Sequence, residues 1–488
     1  MGEPMGLVID GAVVAGGGGS YPVQNPARPA EVVLEAPAAS PEQLDAAVAA
    51  ARRAQPSWAA MAQDERFALV RKAAGAAGAA VETGDLARLL TREHGKVLWE
   101  AQFDAGTIGG MADAFAPLAA EVLAGRVMEG RGRTTRVLPE PHGVVAAILP
   151  FNWPVSVLGN KVWPALLMGN TVVVKAPPTC PGAVLAVTAA MAEALPAGVV
   201  NAVNGPAPEL GRSLVAHGGV DMVSFTGGVP TGRSVMEVAA AALTPLVLEL
   251  GGNDPAVIAP DVEIDEALAD KLFSAAFLTT GQVCMAVKRI YAPREKVGDL
   301  VEALVARVGR EVVGDGLAGE VTMGPLHRQA DRQRLESMLE DARARGAVVH
   351  QPARLRPEDA EAGGHFVSPA VVEGAPEEAT IVAEEQFGPA VPVLGYETLD
   401  EVVRRANDTS YGLCASVWTS DPDVARRLTG ALEAGTVFVN NHGTVAMDHR
   451  APFGGWKQSG FGAELGPEGM LAFTRPKTIL EFPAAEVR

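Results

Sequence analysis

From Gly143 onward, short and fully apolar runs alternate with segments of helical pattern. The apolar runs cover residues 143–149, 171–175, 199–203, 221–225 and 245–250. The helical patterns lie between them, near residues 155–168, 182–194, 207–216 and 231–242. Strands that are apolar on both faces and alternate with helices predict a parallel, doubly wound α/β sheet. Since such sheets bind ligands beyond the carboxyl ends of their strands, the residues that follow each run are the first candidates for a site.

A second α/β series begins near Pro255. It has helical patterns near residues 295–309, 327–345, 399–406 and 422–433, and strand patterns near 413–418 and 436–439. The segment 352–364, rich in Gly, Pro and Asp, is typical of a surface loop. A chain of 488 residues exceeds what one core supports, so more than one domain is expected.

A mixed segment precedes the first sheet. Residues 7–35 indicate short strands and turns, and the stretch from Ser40 to Gln43 has the pattern of a capping box at a helix start. Alanine-rich helices are predicted from there to about Leu123, followed by a projecting hairpin between residues 126 and 139. A strand pattern near the end of the chain, Thr478 to Phe482, predicts an exposed edge that could pair with another subunit.

Charge and cysteine content exclude several classes of protein. The formal net charge of -18 disfavours a nucleic acid or an anionic membrane as partner. Cys180, Cys284 and Cys414 are far apart and form no Cys-x-x-Cys pair, so neither a disulfide nor a metal site is predicted, and a reducing, cytoplasmic location is expected. The first residues show no signal-peptide pattern. Prolines and asparagines interrupt the most apolar stretch, 144–174, so it is not expected to span a membrane as one helix.

One cysteine lies where a ligand could reach it. Cys284 follows a Thr-Thr-Gly-Gln break at the end of an apolar helical pattern. A thiol on a loop at a helix end is accessible, and as a thiolate it is a strong nucleophile. Most free cysteines are instead small buried hydrophobes, and this stretch alone leaves both interpretations open.

Two polar residues follow strands of the first sheet in places that suit catalysis. Asn152 lies in the turn Leu149-Pro-Phe-Asn-Trp-Pro154, where two prolines could hold its amide as an oxyanion donor. Glu249 ends an apolar run before two glycines, where burial would raise the pKa of its carboxyl and let it act as a base. A local turn hydrogen bond is the alternative role for each of them.

Two further stretches at strand ends could hold a nucleotide. Lys175 ends the run Val172-Val-Val-Lys175, from where it could bind the hydroxyls of a ribose. The turn Ser224-Phe-Thr-Gly-Gly228 lies between a strand and a helix and offers backbone N–H groups to a phosphate. A solvated lysine and an ordinary glycine-rich turn are the alternative interpretations.

Taken together, seven segments resemble the aldehyde dehydrogenase superfamily in their order and approximate spacing. They are residues 150–154, 172–175, 225–227, 249–252, 281–284, 384–389 and 452–460, and they cover nearly the whole chain. The resemblance implies an α/β, aldehyde dehydrogenase-like fold that forms a homodimer or homotetramer. The implied parts are a Rossmann-like nucleotide-binding domain (1–122 and 142–250), an α/β catalytic domain (251–465) and a β oligomerisation arm (123–141 and 466–488).

The implied activity is the oxidation of a small-molecule aldehyde to a carboxylic acid with NAD, NADP being the alternative. By this resemblance, Cys284 forms a thiohemiacetal and then a thioester, Asn152 stabilises the oxyanion, and Glu249 activates the hydrolytic water. The residues implied at the cofactor are Leu149, Pro150, Phe151, Lys175, Pro178, Phe225, Thr226, Gly227, Gly228, Leu250, Glu385 and Phe387. Those implied along the substrate tunnel are Trp153, Val157, Asn160, Val283, Met285 and Phe453.

Departures from the family pattern bear on specificity. Pro178 stands where an acidic residue usually favours a free ribose 2′-hydroxyl, which leaves NADP open. Gly228 replaces the usual serine of the phosphate turn, which would weaken one contact at the helix start. Asn160 occupies a place that is often aromatic, which favours a more polar substrate than a long aliphatic aldehyde. A further hypothesis is that Arg450, or a neighbour such as His442, binds an anion on the substrate.

Three rival functions follow from the same residues. A CoA-acylating dehydrogenase is disfavoured by Glu249, since no water needs activation when a thiol takes the acyl group. A cofactor-free cysteine hydrolase would need a histidine near Cys284, and only His442 lies in the relevant segments. A non-catalytic nucleotide-binding protein would not need Cys284, Asn152 and Glu249 together.

Overall fold

The structure is a computed structural model that describes residues 5–483. The start of the segment assessed for a signal peptide and the end of the predicted arm lie outside the described residues. The N-terminal part begins with strands β1 (Leu7–Ile9), β2 (Ala12–Val14), β3 (Ser20–Asn25) and β4 (Arg28–Pro37). Helices follow: α1 (Pro41–Ala60), α2 (Gln63–Thr83), α3 (Leu86–His94), α4 (Leu98–Gly106) and α5 (Ile108–Leu123). The predicted capping box is confirmed, because Ser40 and Gln43 each accept the other's backbone N–H at the start of α1.

The predicted hairpin and the alternating series are also confirmed. The hairpin consists of β5 (Arg126–Gly130) and β6 (Arg133–Pro141). The series then runs β7 (Val144–Ile148), α6 (Pro154–Leu167), β8 (Thr171–Lys175), α7 (Gly182–Ala194), β9 (Val200–Val203), α8 (Pro208–Ala216), β10 (Met222–Thr226), α9 (Val229–Ala240) and β11 (Leu246–Glu249).

The second series contains the remaining elements. Its first half is β12 (Asp254–Ile258), α10 (Glu266–Phe277), β13 (Val287–Pro293), α11 (Val297–Val308), β14 (Val312–Val313), α12 (Gln329–Ala344), β15 (Val348–His350), β16 (Arg354–Leu355), α13 (Pro357–Glu361) and β17 (Ala370–Glu373). Its second half is α14 (Thr380–Ala383), β18 (Ala390–Tyr396), α15 (Leu399–Asn407), β19 (Tyr411–Gly412), β20 (Cys414–Trp418), α16 (Pro422–Ala431), β21 (Thr436–Val439), β22 (Trp456–Lys457), β23 (Gly460–Phe461), α17 (Gly466–Ala472) and β24 (Thr474–Glu481).

The segment 352–364 lies mostly at the surface, as predicted, but it is not an irregular loop throughout, since β16 and α13 lie within it. Pro357 occupies the first turn of α13, where its missing N–H is not needed. The carboxylate of Asp359 is buried and accepts the backbone N–H of Asp315 at 2.9 Å. That long-range contact stabilises a helical turn that local composition does not predict.

Two large sheets organise the chain. The first has the order β2-β1-β9-β8-β7-β10-β11-β23, and its five central strands are parallel. The second has the order β15-β17-β18-β13-β12-β20-β21 and is parallel except at β15. A separate antiparallel sheet, β24-β6-β5, joins the hairpin to the C-terminal strand.

Helices cover both faces of the first sheet, as a doubly wound fold requires. Alternate residues of β7 belong to different apolar clusters: Val145 packs with α6 and α7 on one side, and Val144 packs with α1 and α8 on the other. This fits the continuous apolar strand pattern, because every position of such a strand is buried. Within residues 5–483, no helix is both long and apolar enough to cross a membrane.

Candidate active site

The carboxyl ends of the parallel strands bring distant polar residues to one edge of the first sheet. Lys175 pairs with Ile148 at the ends of β8 and β7, and Glu249 pairs with Thr226 at the ends of β11 and β10. The turn that contains Asn152 follows β7 directly. Sequence positions that are about 100 residues apart therefore meet at this edge, as expected for an open α/β sheet.

The cysteine lies on a loop with an unusual backbone. Helix α10 ends at Phe277, and Thr279, Thr280 and Gly281 then adopt left-handed conformations, with φ values of 53°, 56° and 70°. Such conformations are costly for threonine and persist only where the surroundings fix them. A Cβ at Gly281 would lie 2.3 Å from the carbonyl oxygen of Gly388, so glycine is required there. We call residues 279–284 the nucleophile loop.

Buried polar side chains fix the nucleophile loop. The backbone N–H of Thr279 donates to Glu100 Oε1 at 2.6 Å, and Lys288 Nζ donates to the carbonyl of Gly281 at 2.8 Å. Gln282 Oε1 accepts the backbone N–H of His327 at 2.9 Å. These contacts come from separate elements and compensate for the strained backbone.

Cys284 is partly accessible, whereas Cys180 and Cys414 are buried. Burial of its thiol, together with the nearby carboxylates of Glu385, Glu249 and Asp254, raises the pKa of Cys284 above its ordinary value. Lys288 acts in the opposite direction, because its cation favours the thiolate. The cysteine thus lies in a poorly solvated site among three carboxyl groups and one lysine.

Asn152 is tied directly to the nucleophile loop. Its side-chain Nδ2 donates to the carbonyl of Gln282 at 2.9 Å, and the residue is almost fully buried. An asparagine amide carries two N–H donors, so the second one remains for a ligand beside the nucleophile. The predicted partners Asn152 and Cys284 therefore belong to one site.

A buried ion pair supports the Asn152 turn. Lys96 Nζ lies 2.8 Å from Asp104 Oδ2, and neither side chain is exposed. The same ammonium donates to the carbonyl of Asn152 at 2.6 Å and lies 4.4 Å from the centroid of the Trp153 ring. Asp104 Oδ1 accepts the backbone N–H of Ser156 at the start of α6. The Lys96–Asp104 pair fixes this turn from behind.

We predict that Lys96→Met lowers both stability and kcat. Breaking a buried pair leaves Asp104 charged and unpaired, which typically costs about 3–5 kcal/mol. The double variant Lys96→Met/Asp104→Asn removes both charges but keeps an oxygen that can accept the Ser156 N–H, so it should recover most of the stability. Its kcat should nevertheless stay low, by roughly tenfold or more, because the contact to the Asn152 carbonyl is still missing. Thermal unfolding and steady-state rates measure the two effects, and wild-type kcat in the double variant would contradict the assignment.

Glu249 is buried at the end of β11, and both of its carboxylate oxygens have no hydrogen-bond partner within the described residues. Burial raises the pKa of Glu249 well above its ordinary value, and the carboxylate of Glu464 raises it further. The Lys161 ammonium lowers it. Lys161 and Glu464 form a buried ion pair, and Lys161 also donates to Ser224 Oγ at 2.9 Å. An unpaired carboxylate with a raised pKa has the properties of a general base.

The same charges predict opposite shifts in a pH profile. A base with a raised pKa is active only when deprotonated, so a rate that depends on it increases with pH. Glu464→Gln removes a charge that raises the pKa of Glu249, so the pH at which kcat is half-maximal should decrease. Lys161→Met removes a charge that lowers the pKa of Glu249, so the pH at which kcat is half-maximal should increase. The measurement is kcat against pH, and Glu468→Gln, a nearby exposed change, serves as control. Shifts of the same sign in both variants would contradict this electrostatic account.

The predicted nucleotide residues border a groove between α8 and α9. Lys175, Phe225 and Ile148 line it from the sheet, and the facing helix residues include Val215 and Val235. Burial lowers the pKa of Lys175 to about 8. The remaining lining residues are Pro208, Gly211, Arg212, Pro230, Thr231, Ser234 and Val238. Apolar walls with a lysine at one end suit a planar base and a ribose.

The phosphate turn has matching features. Thr226 Oγ1 is buried and has no hydrogen-bond partner in the described part of the chain. Gly227 and Gly228 follow it, and Gly228 is the residue before the first turn of α9. The backbone N–H of Gly227 donates to the carbonyl of Glu249 at 3.0 Å. The start of α9 and the unpaired Thr226 hydroxyl are therefore the features of this turn that fit a pyrophosphate. The carbonyl of Pro178, which was also predicted at the cofactor, accepts a hydrogen bond from the Tyr21 hydroxyl at 2.7 Å.

Glu385 and the rings of Phe151 and Phe387 form a further group of predicted cofactor residues. Glu385 Oε1 accepts the backbone N–H of Gly252 at 3.1 Å, and burial raises the pKa of Glu385 to about 7. Phe387 has a φ of 43°, and its ring packs edge-on against Phe151 at 6.0 Å. The Phe151 ring is stacked on the buried imidazole of His327 at 4.5 Å. Leu149, Pro150 and Leu250 lie in the same strand-end turns.

Five of the six predicted tunnel residues form one apolar cluster with Cys284. They are Trp153, Val157, Val283, Met285 and Phe453. The cluster also contains residues that the sequence did not single out, namely Leu278, Ala286, Leu413, Cys414, Phe438 and Met447. Asn160, the sixth, is polar and lies two turns along α6 from Trp153.

An anion site at Arg450 or His442 stays a prediction, and each of these residues has a polar partner in the structure. The Arg450 guanidinium is exposed and binds the Asp448 carboxylate through two nitrogens. His442 is buried behind Met285, with Nε2 at 3.0 Å from the Met285 carbonyl and at 3.5 Å from Asp254 Oδ2. His442 is not hydrogen-bonded to Cys284, and it lines the cavity next to the nucleophile loop.

Known proteins resemble this chain along nearly its whole length. The sequence profile described as "Aldehyde dehydrogenase family" matches residues 13–479. The chain is similar to 3,6-anhydro-alpha-L-galactose dehydrogenase of Streptomyces coelicolor, at 34% identity over 462 residues that cover 94% of this chain and 93% of that protein. It is similar to the structure of betaine aldehyde dehydrogenase from Staphylococcus aureus in complex with NAD+, at 34% identity and a TM-score of 0.92, with 98% of this chain and 95% of that chain covered. An NADP dependent enzyme of E. coli matches at 31% identity and a TM-score of 0.92, with 98% of both chains covered.

Proposed function

The chain belongs to the aldehyde dehydrogenase family, and we propose that it oxidises an aldehyde to a carboxylic acid with NAD+ or NADP+ through a thioester at Cys284. The observation that carries the proposal is the convergence of three side chains on one loop and strand edge. Asn152 is hydrogen-bonded to the nucleophile loop, and the Glu249 carboxylate is close enough to raise the pKa of the Cys284 thiol. Glu249 also lacks any partner of its own among the described residues.

The groove and the phosphate turn would hold the dinucleotide. Lys175 would bind the adenosine ribose, the turn at Thr226 would bind the pyrophosphate, and Glu385 with Phe387 would hold the nicotinamide end. Bound NAD(P)+ supplies a hydride acceptor for the aldehyde carbon. The lack of an acidic side chain at Pro178 supports use of NADP+ as well as NAD+.

The chain's own groups account for the covalent steps. The Cys284 thiol loses its proton to water, the sulfur forms a bond to the aldehyde carbon, and the π bond of the carbonyl breaks as its electron pair moves to the oxygen. Negative charge then develops on the carbonyl oxygen, where the free N–H of Asn152 would stabilise it. After the oxidation, Glu249 removes a proton from water, the resulting hydroxide attacks the thioester carbon, and the carbon–sulfur bond breaks to release the acid and the thiolate.

The quaternary assignment is also a proposal. Val127 and Met128 on β5 and Leu480 on β24 are 57%, 51% and 52% exposed, which is unusual for apolar strand residues. We propose that the arm of residues 123–141 and 466–488 joins subunits into a homodimer or homotetramer. The nucleotide-binding and catalytic domains would follow the two large sheets. The three free cysteines support a reducing, cytoplasmic location.

An aldehyde panel with each cofactor, with and without CoA, tests the activity. The expected result is one carboxylic acid per NAD(P)H formed, independent of CoA. An acyl-CoA product would instead support the acylating enzyme. Ester cleavage with no NAD(P)H from any aldehyde would support a cysteine hydrolase, and cofactor binding without any turnover would support a non-catalytic protein.

A further inference from the structure

Two buried polar atoms beside the tunnel have no hydrogen-bond partner within residues 5–483. They are the side-chain oxygen Oδ1 of Asn160 and the indole Nε1 of Trp153. Buried polar groups in folded proteins are paired in the great majority of cases, so an unpaired one calls for an explanation. Close to an active site, a ligand that pairs with both atoms provides one.

Asn160 lies on the face of α6 that borders the tunnel. Trp153, Val157 and Asn160 are spaced by four and three residues, so they share one side of the helix. Trp153 and Val157 belong to the apolar cluster around Cys284. The neighbouring Lys161 is directed elsewhere, to Ser224 and Glu464. Asn160 also remains partly accessible, whereas Lys161 is fully buried.

A cavity next to the nucleophile loop has a largely apolar wall with a polar part. It has a volume of about 270 Å³, and Val283 and Met285, the residues on either side of Cys284, form part of its wall. Polar side chains form another part, namely Asp270, Lys271, Ser274, Asn441, His442 and Thr444. A long alkyl chain in this cavity would remove polar groups from water without replacing their hydrogen bonds, which is unfavourable.

We propose that the aldehyde substrate carries hydroxyl groups on the carbons next to the carbonyl, as aldoses and simple hydroxyaldehydes do. Asn160 Oδ1 would accept a hydrogen bond from a hydroxyl, and Trp153 Nε1 would donate to a hydroxyl oxygen. A hydroxyl is both a donor and an acceptor, so this one group suits both atoms. A carboxylate offers only acceptors, an ammonium offers only donors, and an alkyl chain offers neither. This inference rests on the proposed oxidation of aldehydes.

The test compares glyceraldehyde with propanal, which has the same three carbons and lacks the two hydroxyls. Values of kcat/KM are calculated from the concentration of free, unhydrated aldehyde. The measured quantity is the ratio of kcat/KM for glyceraldehyde to kcat/KM for propanal. In the wild-type enzyme we expect the ratio to favour glyceraldehyde by about tenfold or more, since a site built to bond a hydroxyl discriminates against the analogue without it. Asn160→Leu should reduce the ratio by roughly tenfold, the usual scale of one hydrogen bond.

Two further variants make the comparison specific. Trp153→Phe removes the indole N–H while keeping an aromatic ring, and it should lower the ratio in the same direction. Val157→Ala changes an apolar residue on the same face, so it should affect both aldehydes alike and leave the ratio in place. Should Asn160→Leu fail to fold, Asn160→Ala provides the same comparison.

Different results would contradict the hydroxylated substrate and the oxidation of aldehydes. Turnover of propanal with a wild-type ratio near one, or a ratio that Asn160→Leu leaves unchanged, would overturn the assignment of a hydroxylated substrate and leave aldehyde oxidation standing. No NAD(P)H from either aldehyde, or from any other in the panel, would overturn the proposed function itself and this inference with it.

Discussion

Replacing Cys284 by alanine is expected to abolish aldehyde oxidation while the protein still binds its cofactor. The sulfur is the only group proposed to bond to the substrate, and removal of a catalytic nucleophile typically costs roughly 10⁴-fold or more. The nucleotide groove lies at Lys175 and Phe225, between α8 and α9, and the substitution does not touch it. NAD(P)H formation and cofactor binding, measured on the same preparation, separate the two effects.

A labelling experiment provides the control for this variant. All three cysteines are free, but only Cys284 is partly accessible. Iodoacetamide should therefore modify one thiol per chain in the folded wild-type protein. The fraction of activity lost should equal the fraction of this thiol that is labelled. The folded Cys284→Ala protein should take up no label, because Cys180 and Cys414 are buried. Substantial turnover by the alanine variant, or inactivation that follows labelling of another cysteine, would exclude Cys284 as the nucleophile.

The parts of the fold that were predictable are those encoded by local periodicity. Strands β7 to β11 and helices α6 to α9 lie within a few residues of the predicted bounds, because buried strands and amphipathic helices impose different spacings of apolar residues. The capping box at Ser40 is equally local. The helix α13 was missed because its stability depends on Asp359 bonding to Asp315, 44 residues earlier.

The residues of the candidate site also divide into those that local sequence patterns mark and those that they do not. Cys284, Asn152 and Glu249 were candidates because each lies at a recognisable strand or helix end, and their roles, which the family resemblance implied, stay predictions. Lys96 and Glu100 were missed, since charged residues in an otherwise ordinary helical segment give no sign of burial. Lys96 meets the Asn152 carbonyl across 56 residues, and Glu100 meets Thr279 across 179.

Lys161 and Glu464 show the same limitation most clearly, because they pair across 303 residues. A sequence records that both charges exist, but not that they meet in the interior. Their effect on Glu249 is visible only in the folded chain, where β23 pairs with β11 in the first sheet. Sequence patterns therefore located the groups that would react, whereas the structure was needed to identify the charges that set their pKa values.

The Glu249→Gln variant is expected to stop the enzyme after one oxidation. If Glu249 activates the hydrolytic water, the thioester still forms but its hydrolysis slows by roughly 10²–10⁴-fold, the usual contribution of a general base. Glutamine has nearly the same shape as glutamate, and both carboxylate oxygens of Glu249 lack partners within the described residues, so no native hydrogen bond is lost. The fold should therefore tolerate the change.

In Glu249→Gln, we expect a burst of NAD(P)H that approaches one equivalent per active site, followed by a very slow steady-state rate. Intact-protein mass spectrometry after the burst should show the added acyl group, and digestion should locate it on the peptide that contains Cys284. Cys284→Ala, which cannot form the thioester, should give neither burst nor adduct. A Glu249→Gln enzyme without a burst would place the carboxylate in the steps before hydride transfer. Release of acid at the wild-type rate would mean that another group activates the water, and the role proposed for Glu249 would then be wrong.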